Sequence, residues 1–262
     1  MATLLSGYAA AADVPFRSPY TAPQPETVVY DWTGFYIGAN AGYGASGNSK
    51  ARTSFDDQAG PHHITNSFTL APTGWVGGFQ AGYNWQFDSN VVAGVEGDWQ
   101  WTDQTDSFCV GNNGICGDLI QGTLTGERKL QWFSTARARV GWALGDWLLY
   151  ATGGAAWGQV KTNMNENCPI GCGPTLLVPD NSSAIFTNTK AGWVAGGGVE
   201  FALGGNWSGK LEYLHLDLGT VSNTLAGAGP YTVTFSSPVR DNVFRVGLNY
   251  RIDYRPMDGL RY

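Results

Sequence analysis

Apolar and polar residues alternate with a period of two along eight segments of the chain, the mark of strands with one face in an apolar medium. In the first, Phe35–Tyr43, the residues Phe35, Ile37, Ala39, Ala41 and Tyr43 share a face. In Trp75–Phe87, Trp75, Phe79, Ala81, Tyr83, Trp85 and Phe87 oppose Gln80, Asn84 and Gln86. Val91–Trp101 sets Val95, Trp99 and Trp101 against Glu96, Asp98 and Gln100. Lys129–Ala143 sets Leu130, Trp132, Ala136, Ala138, Val140 and Trp142 against Lys129, Gln131, Arg137 and Arg139. Trp147–Lys161 is glycine-rich, and its faces are hard to tell apart. Lys190–Leu203 opposes Trp193, Val199 and Phe201 to Lys190 and Glu200, and Trp207–Leu218 opposes Leu211 and Tyr213 to Lys210 and Glu212. Asn242–Ile252 opposes Phe244, Val246, Leu248 and Tyr250 to Arg245, Asn249 and Arg251. None of the eight carries a helical period.

The connections alternate as well. Three are short turns, Asp88-Ser89-Asn90, Leu144-Gly145-Asp146 and Gly204-Gly205-Asn206, rich in residues that tolerate positive φ. The other four are long and polar, at about Gly44–Gly74, Thr102–Arg128, Thr162–Thr189 and Gly219–Asp241. Short turns at one end and long loops at the other are the plan of an outer-membrane barrel. Trp75 and Trp85 share a face, and their spacing covers roughly 25 Å along the axis of a tilted strand, the height of an apolar band. Trp142, Trp147 and Trp207 fall beside the short turns, whereas Trp99, Trp101, Trp132, Trp157 and Trp193 fall toward the long loops, which gives two aromatic girdles. A soluble barrel reverses this polarity. The expected fold is all-β: an eight-stranded antiparallel up-and-down transmembrane β-barrel over residues 32–252.

Composition sharpens this reading. Among 262 residues there are 37 Gly, 11 Trp, 12 Tyr and 12 Phe, with only 14% charged residues, the opposite of a disordered chain. The formal charge of −6 argues against nucleic acid as a partner. No apolar run of 18 residues is present, so a membrane helix is excluded while membrane strands are not. Residues 1–12 read as a signal-peptide remnant with cleavage near Ala11 or Ala12. Residues 13–31 carry Pro15, Pro19, Pro23 and Pro25 and read as an extended tail; residues 253–262 read as a C-terminal tail.

An eight-stranded barrel is just wide enough to be filled by its own side chains. Its polar face holds Glu96, Asp98, Glu200 and Glu212 with Lys129, Arg137, Arg139, Lys190, Lys210, Arg245 and Arg251. Such charges must pair in the interior, which predicts a plug of ion pairs in preference to an ion pathway. The four cysteines lie in long loops. Cys109 with Cys116 and Cys168 with Cys172 would each close a small ring, and cross-loop pairing is the alternative. Their spacing is not that of a zinc site, and no cofactor or metal is expected. Asp56, Asp57, His62 and His63 form the acid–histidine cluster of the first loop, but no positioned nucleophile accompanies them, so no enzyme is expected. His215 reads as an interface residue.

The segments resemble a known family, the alphaproteobacterial eight-stranded outer-membrane barrels: the 25- and 31-kilodalton major surface proteins, the OmpA-like transmembrane barrel and porin-family relatives. The matching stretches run in order from Trp32–Gly44 (WTGFYIGANAGYG) through Gly77–Phe87, Val95–Trp99, Thr135–Gly141, Leu149–Gly158, Gly192–Glu200 and Lys210–Leu218 to Val243–Ile252 (VFRVGLNYRI). Members usually end on an aromatic directly after the last strand; here Ile252 stands at that place and the chain runs on to Tyr262. The resemblance implies an abundant surface protein of the outer membrane, and the short-turn, long-loop plan puts the loops outside and both termini on the periplasmic side. Its implied partners are lipid, lipopolysaccharide and the assembly machinery, with self-association also open. In some relatives the mature N-terminus is joined to peptidoglycan, and Ala12-Asp13 is similar to the start of those tethered chains. An extended tail over residues 13–31 reaches on the order of 60 Å, enough to meet the wall. The expected role is structural, supporting the envelope and displaying loops; a loop-based adhesin or receptor and a narrow channel are the alternatives.

Overall fold

A computed structural model describes residues 30–57, 63–111, 116, 123–168, 180–226 and 231–252. The signal remnant, most of the proline-rich tail with Ala12 and Asp13, Cys172 and the C-terminal tail lie outside the described residues. Among the described residues eleven antiparallel strands run in order: β1 (Gly34–Ala45), β2 (Ser49–Asp57), β3 (His63–Leu70), β4 (Thr73–Gln86), β5 (Val91–Thr102), β6 (Thr105–Gly111), β7 (Thr123–Leu144), β8 (Trp147–Cys168), β9 (Asp180–Gly204), β10 (Trp207–Ala226) and β11 (Tyr231–Ile252). Eight of them, β1, β4, β5, β7, β8, β9, β10 and β11, pair in that order, and β1 returns to β11 to close the ring. Closure leaves no backbone edge in this part of the wall, the condition for crossing lipid with strands. The short turns sit where expected: Asn90 takes φ 63°, and Gly145 and Gly205 take 65° and 57°.

The loop end departs from expectation. Among the described residues the four long connections are largely stranded, because the ladders of β7 to β11 continue into them and β2, β3 and β6 are added there. Pairing between β9 and β10 stops at Trp193–Asp217, and no ladder joins β3 to β6 among the described residues. The ring thereby divides into two facing sheets, β6-β7-β8-β9 and β10-β11-β2-β3. Between them lies an apolar core of Phe108, Val110, Leu124 and Met164 against Ala51, Leu70, Leu225, Val233 and Phe235. Phe108 and Phe235 stack across it with centroids 4.8 Å apart. Side chains bridge both seams: Asn188 donates to Asn223 at 2.7 Å, and Asn66 donates to the Gly111 carbonyl at 3.2 Å.

Two bulges mark the transition. In β7 the register steps between Leu130–Val160 and Trp132–Gln159, leaving Gln131 unmatched. In β10 it steps between Asp217–Arg240 and Thr220–Pro238, and Gly219 takes φ 74°. An unmatched residue flips every later side chain to the other face. Arg128 and Leu130 therefore point inward together with Phe133, Thr135, Arg137 and Arg139, while Lys129 points outward.

Candidate functional site in the barrel lumen

The outer face of the eight-stranded ring is apolar. Trp75, Trp85, Trp99, Trp101, Trp142, Trp147, Trp157, Trp193 and Trp207 are 39–68% exposed, and Trp132 points outward half-buried, stacked on Trp99 at 4.3 Å. All ten tryptophans assigned to girdles thus stand on the outer wall. The eleventh, Trp32, is buried in the short-turn mouth with Val92, Ala143, Leu148 and Tyr150. His215 faces outward, within 2.8 Å of the Asn242 side-chain oxygen and beside Trp193.

Above that apolar mouth lies a slab of charge. Glu96 is its centre. It accepts from Lys210 Nζ at 2.9 and 3.0 Å and from the Tyr36 hydroxyl at 2.7 Å, and it pairs with Arg137; Arg139 and Arg245 stand at 3.6 Å. Arg137 also donates to Asp98 at 2.9 Å and to Glu212 at 3.1 Å. Arg245 donates to Glu212 at 2.6 Å and to Asp98 at 3.1 Å. Arg139 donates to Glu200 at 2.8 Å and lies 4.0 Å from the centre of the Tyr150 ring. Thr135, Ser208, Asn249 and Tyr150 supply further donors to Asp98, Glu200 and Glu212. Four carboxylates thus meet four cations, and no side chain among them is more than 3% exposed. Glycines make the room. A Cβ at Gly82 would stand 2.5 Å from the Tyr36 hydroxyl, and one at Gly198 would stand 2.7 Å from that of Tyr150.

Three predicted members of the slab are elsewhere. Lys129 is outside because of the β7 bulge. Lys190 has an inward register but is half-buried at the loop end of the ring and joins no ion pair among the described residues. Arg251 sits at the short-turn mouth, lies 4.8 Å from the centre of the Tyr30 ring and donates to the Asp31 carbonyl. Alternation along a strand reports the face of a residue but not its height, and height separates Lys190 and Arg251 from the slab.

Above the charges the lumen becomes apolar again, with Phe133, Val160, Val194, Leu214, Leu216 and Val243 buried in one cluster. Beyond it comes a polar layer that periodicity missed. Arg128 donates to Ser237 and, at 3.0 Å, to the Pro238 carbonyl, and Gln104 donates to Asp241 at 2.7 Å. Burial pushes the Arg128 guanidinium down to about 10 despite nearby Asp106 and Asp241, so it stays charged at neutral pH. Mouth, slab, apolar cluster, polar layer and sandwich core follow one another along the axis.

Two other candidates resolve differently. Cys109 and Cys116 form a disulfide with Cα atoms 5.4 Å apart. Cys168 ends β8, and its suggested partner Cys172 lies outside the described residues. Asp56 pairs with His63 across the β2–β3 hairpin, and the Thr65 hydroxyl lies 3.0 Å from the second His63 nitrogen. His63 is 60% exposed and Asp56 44%, so the trio is open to water and has the character of a cross-strand surface pair.

The family described as outer membrane protein beta-barrel domain matches residues 3–251. The 31 kDa outer-membrane immunogenic protein of Brucella melitensis biotype 1 is 37% identical over 260 residues, covering 96% of each chain. The 25 kDa outer-membrane immunogenic protein of the same organism is 30% identical over 249 residues, covering 94% of this chain and 92% of that one. The crystal structure of the outer membrane protein OprG from Pseudomonas aeruginosa aligns with a TM-score of 0.45 at 11% identity, covering 84% of this chain and 96% of that one.

Proposed function

The chain belongs to the outer membrane protein β-barrel domain family, and from that footing we propose that it is a structural surface protein whose lumen conducts nothing. It spans the outer membrane, supports the envelope and holds its stranded loop end toward the exterior, with both termini in the periplasm. The observation that carries this reading is the filled lumen: a balanced slab of buried ion pairs lies between two apolar layers. An ion entering it would have to break several buried pairs at once, each costing several kcal/mol. The full chain in a planar bilayer is expected to give no stable openings on the nanosiemens scale. Regular openings of that size from pure protein would replace this reading with the channel.

The proposal extends to the N-terminal tail as a peptidoglycan tether through Ala12. It is supported by the way the chain enters the ring. Tyr30 packs on Trp32 at 4.7 Å, and the Trp32 amide donates to Gln86 at 2.8 Å, so a pull on the tail meets a buried anchor. Mass spectrometry of protein released by amidase is expected to find a muropeptide on Ala12; a free amine on every molecule would overturn the tether.

A further inference from the structure

The bulge that expels Lys129 from the lumen sets it directly opposite Lys161 on the outer wall. Like charges in direct cross-strand register destabilise a sheet. Neither lysine forms an ion pair with a described residue, and both are half-buried along the surface. Elsewhere the same edge of the ring is neutralised, since Arg240 donates to Asp217 at 2.8 Å. Around the lysines the wall supplies hydrogen-bonding groups. Thr105 and Thr187 continue their cross-strand row on either side, and Gln159 and Thr189 stand in the row below. Glu127, the nearest acid on the same face of β7, stands one step farther from the apolar band. Below the lysines, Trp132 and Trp157 belong to the upper aromatic belt, which places the pair at the height where lipid headgroups lie.

We infer that Lys129 and Lys161 form a site for the phosphate of a lipid headgroup in the leaflet on the loop side of the barrel. A phosphate between the two ammonium groups turns their repulsion into two charge-assisted hydrogen bonds. A membrane lipid is the source because the site borders the apolar band, where acyl chains hold a headgroup in place, whereas a chain of formal charge −6 repels dissolved anions. The inference rests on residence in a membrane and not on the closed lumen, so conductance would leave it standing.

The test uses the full chain in micelles of a non-ionic, phosphate-free maltoside detergent carrying phosphatidic acid, with bound lipid counted by native mass spectrometry. Changing Lys129→Gln and Lys161→Gln together is expected to weaken phosphatidic acid binding about tenfold, with each single change giving part of that loss. Lys50→Gln, which removes the same charge from an exposed position on β2 in the opposite sheet, is expected to change nothing. Diacylglycerol, which lacks the phosphate, is expected not to bind. Without phosphatidic acid, Lys161→Gln should melt above the native chain, and the gain should vanish when that lipid is present. Undiminished binding by the double variant, equal binding of diacylglycerol, or displacement by equimolar inorganic phosphate would each overturn the assignment.

Discussion

Glu96→Gln is expected to destabilise the folded barrel by about 3–5 kcal/mol, the cost of leaving buried charges without their partner. The substitution keeps the size of the side chain and a carbonyl for the Tyr36 hydroxyl, so packing is nearly unchanged. What it removes is the anion shared by Lys210 and Arg137, with Arg139 and Arg245 close behind. Four cations are then left with three carboxylates, at a place where no side chain is more than 3% exposed. Urea unfolding in phospholipid vesicles, followed by the gel shift between folded and boiled protein, gives the midpoint. A second change, Lys210→Met, restores the charge balance and should recover part of the loss although it removes one more polar group. A loss below about 1 kcal/mol for Glu96→Gln would mean that water already screens the slab.

Leu211→Arg and Lys210→Leu are expected to destabilise the same strand for opposite reasons. Leu211 is 50% exposed on the outer wall, between the Trp207 turn and Tyr213, so an arginine there meets hydrocarbon. Near the bilayer midplane such a change costs about 2–4 kcal/mol. Lys210, one residue away, is 1% exposed and its ammonium touches Glu96, so a leucine there strands a carboxylate. The two variants carry opposite hydropathy changes at adjacent positions. Both falling in the vesicle unfolding assay would fix which way the wall faces. A neutral Leu211→Arg would contradict contact with lipid.

Much of this was legible in one dimension. The outward set of Leu211, Tyr213, Phe244 and Val246, and the inward set of Lys210, Glu212 and Arg245, follow from alternation alone, because a single strand carries that period in its own sequence. The stranded loop end was legible only in part. Val221 and Leu225, and Val233 and Phe235, repeat at even spacings inside a segment that reads as polar loop, but here the apolar face points inward and the outer face is Ser and Thr. The polarity of the wall thus reverses where the lipid ends, and a reader following one polarity loses the strand. Alternation alone puts Lys129 inside and Leu130 outside, the reverse of the structure, because a bulge is a property of paired strands: β8 offers no residue opposite Gln131 between Val160 and Gln159.

The chain by itself determined the number of strands in the ring, their antiparallel order, which turns are tight and which tryptophans face outward, since each depends on residues close together in sequence. Only tertiary structure decided which charges and which buried amides meet, because Glu96 and Lys210 are 114 positions apart and Gln80 and Asn249 are 169 apart. Closure of the ring sets the height of every inward residue. Height, which no local period encodes, brings four acids to four bases in the slab, sends Arg251 to the mouth and leaves Lys129 beside Lys161 on the outside.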